Sequence, residues 1–158
     1  MLAVGCAAPS TSLAPAPGVN PNIALAPLHV QALDGGDLVL AKVLAGRPTL
    51  VTLWATWCES CAAEFDALRR LAPKAEAQGA YVVAIAEGEP YATVDAFVRA
   101  RALTYPQLVD EPFALADSIG ARRIPATLVI DRKGTIVFRG AALDRDALDA
   151  LDHAIAAR

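Results

Sequence analysis

The sequence predicts an α/β domain in which helices flank a central mixed sheet, and three observations carry that reading. Apolar runs of strand length at residues 49–55, 80–86 and 126–130 alternate with segments of helical periodicity, the pattern of a sheet with a parallel portion. The last of these runs is followed by the turn Asp131-Arg132-Lys133-Gly134 and a second apolar run, a hairpin that adds an antiparallel edge. Between the first run and the first helical segment stands Trp57-Cys58-Glu59-Ser60-Cys61, so two cysteines sit where a strand hands over to a helix.

Taken in order, residues 28–33 and 37–40 read as short strands around the turn Asp34-Gly35-Gly36. Gly46-Arg47-Pro48 leads into the strand at 49–55. The helix after the cysteines keeps Phe65, Leu68 and Leu71 on one side with Arg69 and Arg70 outward. Pro73 is expected to kink or stop it, and Gly79 to end any continuation. Residues 80–86 form a second buried strand. Pro90 and Asp95 bracket the start of a helix that turns Val94, Phe97 and Val98 inward. Residues 107–109 form a short strand, and 113–119 a helix closed by Gly120. Ile124-Pro125 precedes the hairpin, whose second strand is 135–138. A last helix covers 143–157, with Leu148, Leu151 and Ile155 on one face.

A chain of 158 residues suits one domain with a substantial core plus an appendage. Hydrophobic residues make up 55%, yet no run approaches the length of a membrane span, so the body is expected to be soluble. A net charge of −3 without a basic block argues against nucleic acid as a partner. Three cysteines are too few for a disulfide scaffold.

The chemistry lies in the cysteine pair. Residues three apart on a helix are neighbours, which brings Cys58 and Cys61 within disulfide reach. At a helix N-terminus the first cysteine meets unpaired N–H groups and the helix dipole, which stabilise the reactive thiolate. A lone CxxC is also half of a zinc site, but the other candidate ligands, Cys6, His29 and His153, stand apart in the chain. A redox dithiol is the better reading, and no metal is expected.

From about residue 26 to the C-terminus the chain resembles the TlpA/ResA/DsbE (CcmG) branch of the thioredoxin superfamily. The resemblance rests on GRPTLVTLWATWCESCAAEF, AYVVAIAEGEP and GARRIPATLVIDRKGTIVFRGA, which hold the Trp-Cys-x-x-Cys and Ile-Pro motifs in the required order. It implies a thioredoxin-like fold with a TlpA-type insertion at residues 91–109, and extracytoplasmic, often membrane-tethered protein-disulfide reductase activity. Cys58 would be the attacking thiolate and Cys61 the resolving thiol. Pro125 would be the family's cis-proline, with Ile124 offering its backbone to a substrate peptide and Trp57 adjoining the dithiol. Glu64 matches a glutamate kept near the dithiol in the ResA-like branch, where it could take the proton from Cys61. The redox group would be the Cys58–Cys61 disulfide itself, without a separate cofactor. The implied partners are a client protein disulfide, of apocytochrome or metallochaperone type, and a membrane thiol-transfer reductant, met by a monomer.

The chain also departs from the pattern. Thr52 stands where thioredoxin has a buried aspartate, which moves weight onto Glu64. Ser60 replaces a proline common before the second cysteine, and Glu59 opposes a negative thiolate beside it. Trp54 reads as core packing, Glu87 and Glu89 as loop carboxylates at the sheet edge where ligands bind, and Arg122 and Arg123 as solvated residues able to bias docking. Residues 1–25 read as a disordered Pro/Ala/Ser/Gly tail ahead of a domain at 26–158. Leu2-Ala3-Val4-Gly5-Cys6 resembles the end of a lipoprotein signal with Cys6 as the lipid anchor, although Ala3 replaces the usual Leu and the charged and apolar regions before it are missing. The competing functions are a thiol peroxidase, disfavoured because Thr56 lies two residues before Cys58 instead of three, a copper(I)-handling module, and a cytoplasmic thioredoxin-like protein.

Overall fold

A computed structural model describes residues 28–157. The expected tail and Cys6 lie outside the described residues. Within them the elements are β1 (His29–Ala32), β2 (Asp37–Val39), α1 (Leu40–Leu44), β3 (Thr49–Trp54), α2 (Glu59–Ala62), α3 (Phe65–Ala77), β4 (Tyr81–Glu87), α4 (Tyr91–Arg101), β5 (Gln107–Asp110), α5 (Ala114–Ile119), β6 (Ala126–Ile130), β7 (Ile136–Gly140) and α6 (Arg145–Ala156). The strands form one sheet in the order β2-β1-β5-β4-β3-β6-β7. β3, β4 and β5 are parallel neighbours, and β1, β6 and β7 join antiparallel. This is the mixed sheet expected, and the segment at 91–109 supplies α4 and β5.

Alternation along each strand sends side chains to two opposite layers. Leu50 and Trp54 of β3 and Val82 and Ala84 of β4 meet Phe65, Leu68, Val94, Val98 and Leu151 from the helices on one face. Val51, Leu53, Val83 and Ile85 meet Leu40, Leu44, Leu115 and Ile119 on the other. β3 is buried along its whole length, which explains why it reads as an unbroken apolar run. The face holding Cys58 and Cys61 is fastened by three rings. Trp54 lies 5.3 Å from Phe65 in a T-shaped pair and 5.4 Å from Phe97, which is 6.0 Å from Phe65. Such pairs add about 0.5–1.5 kcal/mol each beyond the area they bury.

Several elements differ from the sequence expectation. Residues 40–44 form a helix after β2, with Leu40 and Leu44 buried one turn apart, a segment too short for periodicity to reveal. Pro73 sits inside α3 without ending it. β7 runs to Gly140 because its last residues pair with Thr127 and Leu128. In α6 the buried positions are Ala147, Leu151 and Ala154, while Leu148 is 38% exposed; the small side chains let the helix sit close to the sheet. Asp144 caps that helix by accepting from Ala147 N–H at 3.0 Å.

Glu87 is a clearer correction. It is the last residue of β4, in register with Asp110 of β5, and each is 1% exposed. Asp110 Oδ2 accepts from Leu115 N–H at 2.6 Å, whereas neither Glu87 oxygen has a donor in good hydrogen-bonding geometry. Burial first, then the neighbouring Asp110 carboxylate, push Glu87 up to about 9; the Ala116 N–H opposes the rise weakly and Asp117 of α5 adds to it. Glu87 therefore holds its proton at neutral pH, which spares the sheet two facing negative charges.

That proton ties stability to pH. The unfolded chain releases it near the ordinary value of 4.5, and the folded chain keeps it to about 9. Unfolding across that window releases a proton, so stability is greatest below it and falls as pH rises, by at most about 1.4 kcal/mol per pH unit. In E87Q the Gln amide replaces the carboxyl without ionising. Denaturant unfolding at pH 5, 7 and 9 should show a decline in the parent that is flattened in E87Q, leaving the variant the more stable protein at pH 9.

Candidate functional site

Cys58 and Cys61 form a disulfide with Cα atoms 5.3 Å apart. Cys58 is the N-cap of α2, and its sulfur accepts from Cys61 N–H at 3.2 Å. Its own N–H bonds to Ala55 C=O at 3.1 Å, closing the turn that follows β3. The helix expected to run on from the cysteines is broken: α2 ends at Ala62 and α3 starts at Phe65. Support for a thiolate at Cys58 therefore comes from a directed N–H at the start of a single turn more than from a long helix dipole, which acts through aligned peptide units. Ser60 Oγ stands 3.5 Å from Cys58 Sγ, so the residue found in place of the usual proline adds a hydroxyl beside the sulfur.

The two sulfurs are not equivalent. Cys58 is 7% exposed and lines a cleft of about 470 Å³ with Trp57, Glu59, Ser60 and Ile124, whereas Cys61 is 1% exposed and does not reach it. The Ile124–Pro125 peptide bond is cis. Trp57 is 69% exposed, a cleft wall open to solvent instead of a lid over the sulfurs. Thus Trp57, Cys58 and Ile124 come together at the cleft, Cys61 lies behind them, and Pro125 begins the turn into β6.

Glu64 stands in the break between α2 and α3 and reaches across to α6. Its Oε1 accepts from Leu143 N–H at 2.8 Å, and its Oε2 is buried with no donor among the described residues. Burial raises its pKa above 4.5; the Leu143 bond opposes the rise and Asp144 adds to it. A carboxylate with one oxygen free and a raised pKa is a better proton acceptor than an ordinary surface carboxylate. Thr52, in the position of thioredoxin's aspartate, is 1% exposed and pairs in register with Thr127 of β6. Its hydroxyl has no hydrogen-bond partner among the described residues.

Glu89 is the residue whose role the sequence did not disclose. It reads as a loop carboxylate but is 8% exposed. Both of its oxygens hold the loop before the cysteines, accepting from Thr56 N–H at 2.6 Å and from Thr56 Oγ1 at 2.5 Å. Short charge-assisted bonds of this kind are among the stronger polar contacts in a protein. Two features bring Glu89 back against the sheet. Gly88 has φ +73, and a side chain there would meet the Phe113 ring at 3.2 Å; Gly88 N–H bonds to Asp110 C=O at 2.9 Å. The one sequence signal was a carboxylate two residues past a strand that ends parallel to the one feeding the cysteines.

A disulfide at the mouth of a helical turn, with a cis-proline loop beside it on this sheet, defines the thioredoxin-fold class. The chain belongs to the AhpC/TSA family, whose model matches residues 5–139. Among curated relatives it is 29% identical to the thiol-disulfide oxidoreductase ResA of Halalkalibacterium halodurans over 102 residues, 65% of this chain and 58% of that one. It is 27% identical to ResA of Bacillus subtilis over 112 residues, 71% of this chain and 63% of that one. The chain thus spans less than two thirds of the length of these relatives. Solved structures share the fold. A secreted Mycobacterium tuberculosis disulfide oxidoreductase homologous to E. coli DsbE superposes with a TM-score of 0.66 at 24% identity, covering 87% of this chain and 99% of that one. An exposed lipoprotein thioredoxin of Streptococcus pneumoniae does so with 0.69 at 23%, covering 80% and 98%.

Removing the Glu89 carboxylate should loosen the cysteine turn. E89A is expected to lose about 1–3 kcal/mol of stability, the usual cost of orphaning buried donors, and to lower the reactivity of Cys58 toward a small disulfide about tenfold. Glu89→Gln keeps one acceptor and should recover part of both. Stopped-flow exchange and denaturant unfolding measure the two effects. Unaltered exchange in a folded E89A would show that the clamp does not position the thiol.

Proposed function

We propose that the protein is a thiol–disulfide oxidoreductase of the reducing type that acts on the disulfides of client proteins outside the cytoplasm. The observation that carries this reading is the asymmetry of the pair: one sulfur faces a cleft shared with the cis-proline loop, and its partner is sealed behind it. That is the geometry of an attacking and a resolving thiol. The similarity to ResA supports it.

Each step of the exchange balances. In the reduced protein the Cys58 thiolate attacks a client disulfide; an intermolecular S–S bond forms, the client bond breaks, and the departing client thiolate takes a proton from water. Cys61 gives its proton to Glu64 and attacks Cys58. The Cys58–Cys61 bond forms, the mixed disulfide breaks, and the second client sulfur leaves as a thiolate that Glu64 protonates. Two electrons pass from the dithiol to the client, and a membrane dithiol donor restores the thiols by the reverse exchange. Trp57 and the Ile124 backbone would hold an extended client segment across the cleft. The Thr56 hydroxyl, which a peroxide-reducing site would turn toward its cysteine, is committed to Glu89, which favours exchange over peroxide reduction.

The finer reading is a maturation enzyme of the cytochrome c or copper-site type, held at the outer face of a membrane by a lipid on Cys6. Among the described residues no helix is long and apolar enough to cross a membrane. The lipoprotein thioredoxin of Streptococcus pneumoniae offers a precedent on the same fold. Mass spectrometry of the membrane fraction is expected to find Cys6 acylated; an unmodified thiol would remove the anchor.

Three substitutions test the chemistry. Cys61→Ser should trap a mixed disulfide between Cys58 and the client, seen on non-reducing gels, while Cys58→Ser should trap none and lose reductase activity. Trapping through Cys61 in the second variant would reverse the assignment. Glu64→Gln should slow resolution by about 10²-fold, the lower end of general-base contributions, and lower the Cys61 pKa, because a negative charge that opposes the thiolate is removed. In the parent the resolution rate should climb with pH as Glu64 loses its proton above 4.5, a limb that E64Q lacks. An unchanged thiol pKa together with unchanged turnover would take Glu64 out of the mechanism.

A further inference from the structure

The rim of the cleft carries a charge pattern that the exchange chemistry does not use. Arg122 and Arg123 immediately precede Ile124, and both are exposed. Arg139 of β7 is in register with Leu128 of β6, three residues past the cis-proline. Its side chain shares the layer of Leu128, Leu115 and Ile119, where an ideal Cβ on Gly120 at the end of α5 would lie 3.9 Å from Arg139 Nη2, so Arg139 stands across the sheet from the cysteines. No ion pair ties any of the three to a described residue; the ion pairs found join Arg69 to Asp66, Arg99 to Asp95 and Arg145 to Asp149. On the opposite lip of the cleft stands Glu59, exposed and one residue past Cys58. A chain with a net charge of −3 therefore sets two unneutralised arginines, Arg122 and Arg123, directly before Ile124, where a peptide would lie, and an acid at the cysteine turn.

We propose that Arg122 and Arg123 form a docking surface for client proteins that carry acidic residues beside the cysteine to be reduced. The inference rests on the exchange reading and deepens it, since an extended segment lying along Ile124 brings its neighbouring side chains past these guanidinium groups. Arginine suits such a surface because its planar fork binds carboxylates through two parallel hydrogen bonds, and its weak hydration lowers the cost of pairing. Glu59 contributes by repulsion. It disfavours an acidic segment laid across the cysteine turn and thereby selects the orientation in which the acids face the arginines. Complementary charge at such a rim acts mainly on the association rate, so the effect belongs to the first, bimolecular step of the exchange.

The test uses the full chain, reduced, with three peptides of one length that each carry a single cysteine as a mixed disulfide and differ only in Glu, Gln or Lys at the flanking positions. Second-order rates should run Glu over Gln over Lys, spanning about tenfold at low ionic strength. The span should collapse in about 0.5 M salt, where charges are screened within a few ångströms. In R122Q/R123Q the Glu-to-Lys ratio should fall toward one, and in R123E it should invert. A variant that merely folds badly slows all three peptides by the same factor and leaves the ratio where it was, which would overturn the proposal, as would equal rates in the parent. An arginine patch built for an anionic lipid surface would instead sediment with phosphatidylglycerol vesicles while treating the peptides alike, and that too would overturn it. Exchange with none of the peptides would remove the oxidoreductase reading and this proposal with it.

Discussion

The parallel pairing of β3 with β4 is the constraint on which the site depends. Six consecutive residues are in register, from Thr49 with Tyr81 to Trp54 with Ala86, and parallel strands release their following loops at the same edge of a sheet. The turn carrying the cysteines and the turn carrying Glu89 therefore emerge side by side, and the two Glu89 bonds to Thr56 join them. β6 completes the arrangement from the other side. Its antiparallel pairing places Ala126 opposite Leu53, so the cis-proline loop arrives beside the cysteines from the opposite chain direction. A slip of one residue in either pairing would turn alternate side chains to the wrong layer, sending Trp54 out of its aromatic cluster and Cys58 away from the cleft.

The three carboxylates around this edge show how burial and partners divide one chemical group into different roles. Glu89 has two donors for its two oxygens and works as a clamp. Glu64 has one donor and one free oxygen, which leaves it half-stabilised as an anion and open to a proton. Glu87 has neither a well-placed donor nor solvent and faces another carboxylate, so it stays protonated and acts as a neutral group within the sheet. The order follows the supply of N–H and O–H donors and not the distance in sequence, since Glu87 and Glu89 are only two residues apart.

The same contrast explains what was legible in the sequence. The strands β3, β4 and β6, the hairpin, and the placement of the dithiol and of Pro125 could all be read, because each rests on a local signal: an apolar run, an Asp-x-x-Gly turn, or a motif of fixed spacing. Asp131 Oδ1 holding Lys133 N–H and Thr135 N–H, both at 2.9 Å, is such a signal made visible. What escaped was non-local. Glu89 acquires its partner across 33 residues and Glu64 across 79, and no periodicity encodes a contact between loops. The helix α1 and the break between α2 and α3 escaped for a different reason, since a single turn lies below the length at which a 3.6-residue repeat can be told from chance.

The break after Ala62 also sets how Glu64 is placed. A continuous helix from Cys58 would hold residue 64 rigidly on the axis of its own turns, whereas the interruption lets the Glu64 backbone start α3 while its side chain spans to Leu143 at the head of α6. The segment bearing Cys61 is thereby held at two ends, by Ala55 C=O through Cys58 N–H and by Leu143 N–H, just before α6, through Glu64, with only one helical turn between them. Residues 63 and 64 separate α2 from α3, and the Glu64 carboxylate, tied to Leu143 N–H through one oxygen, stands in that joint.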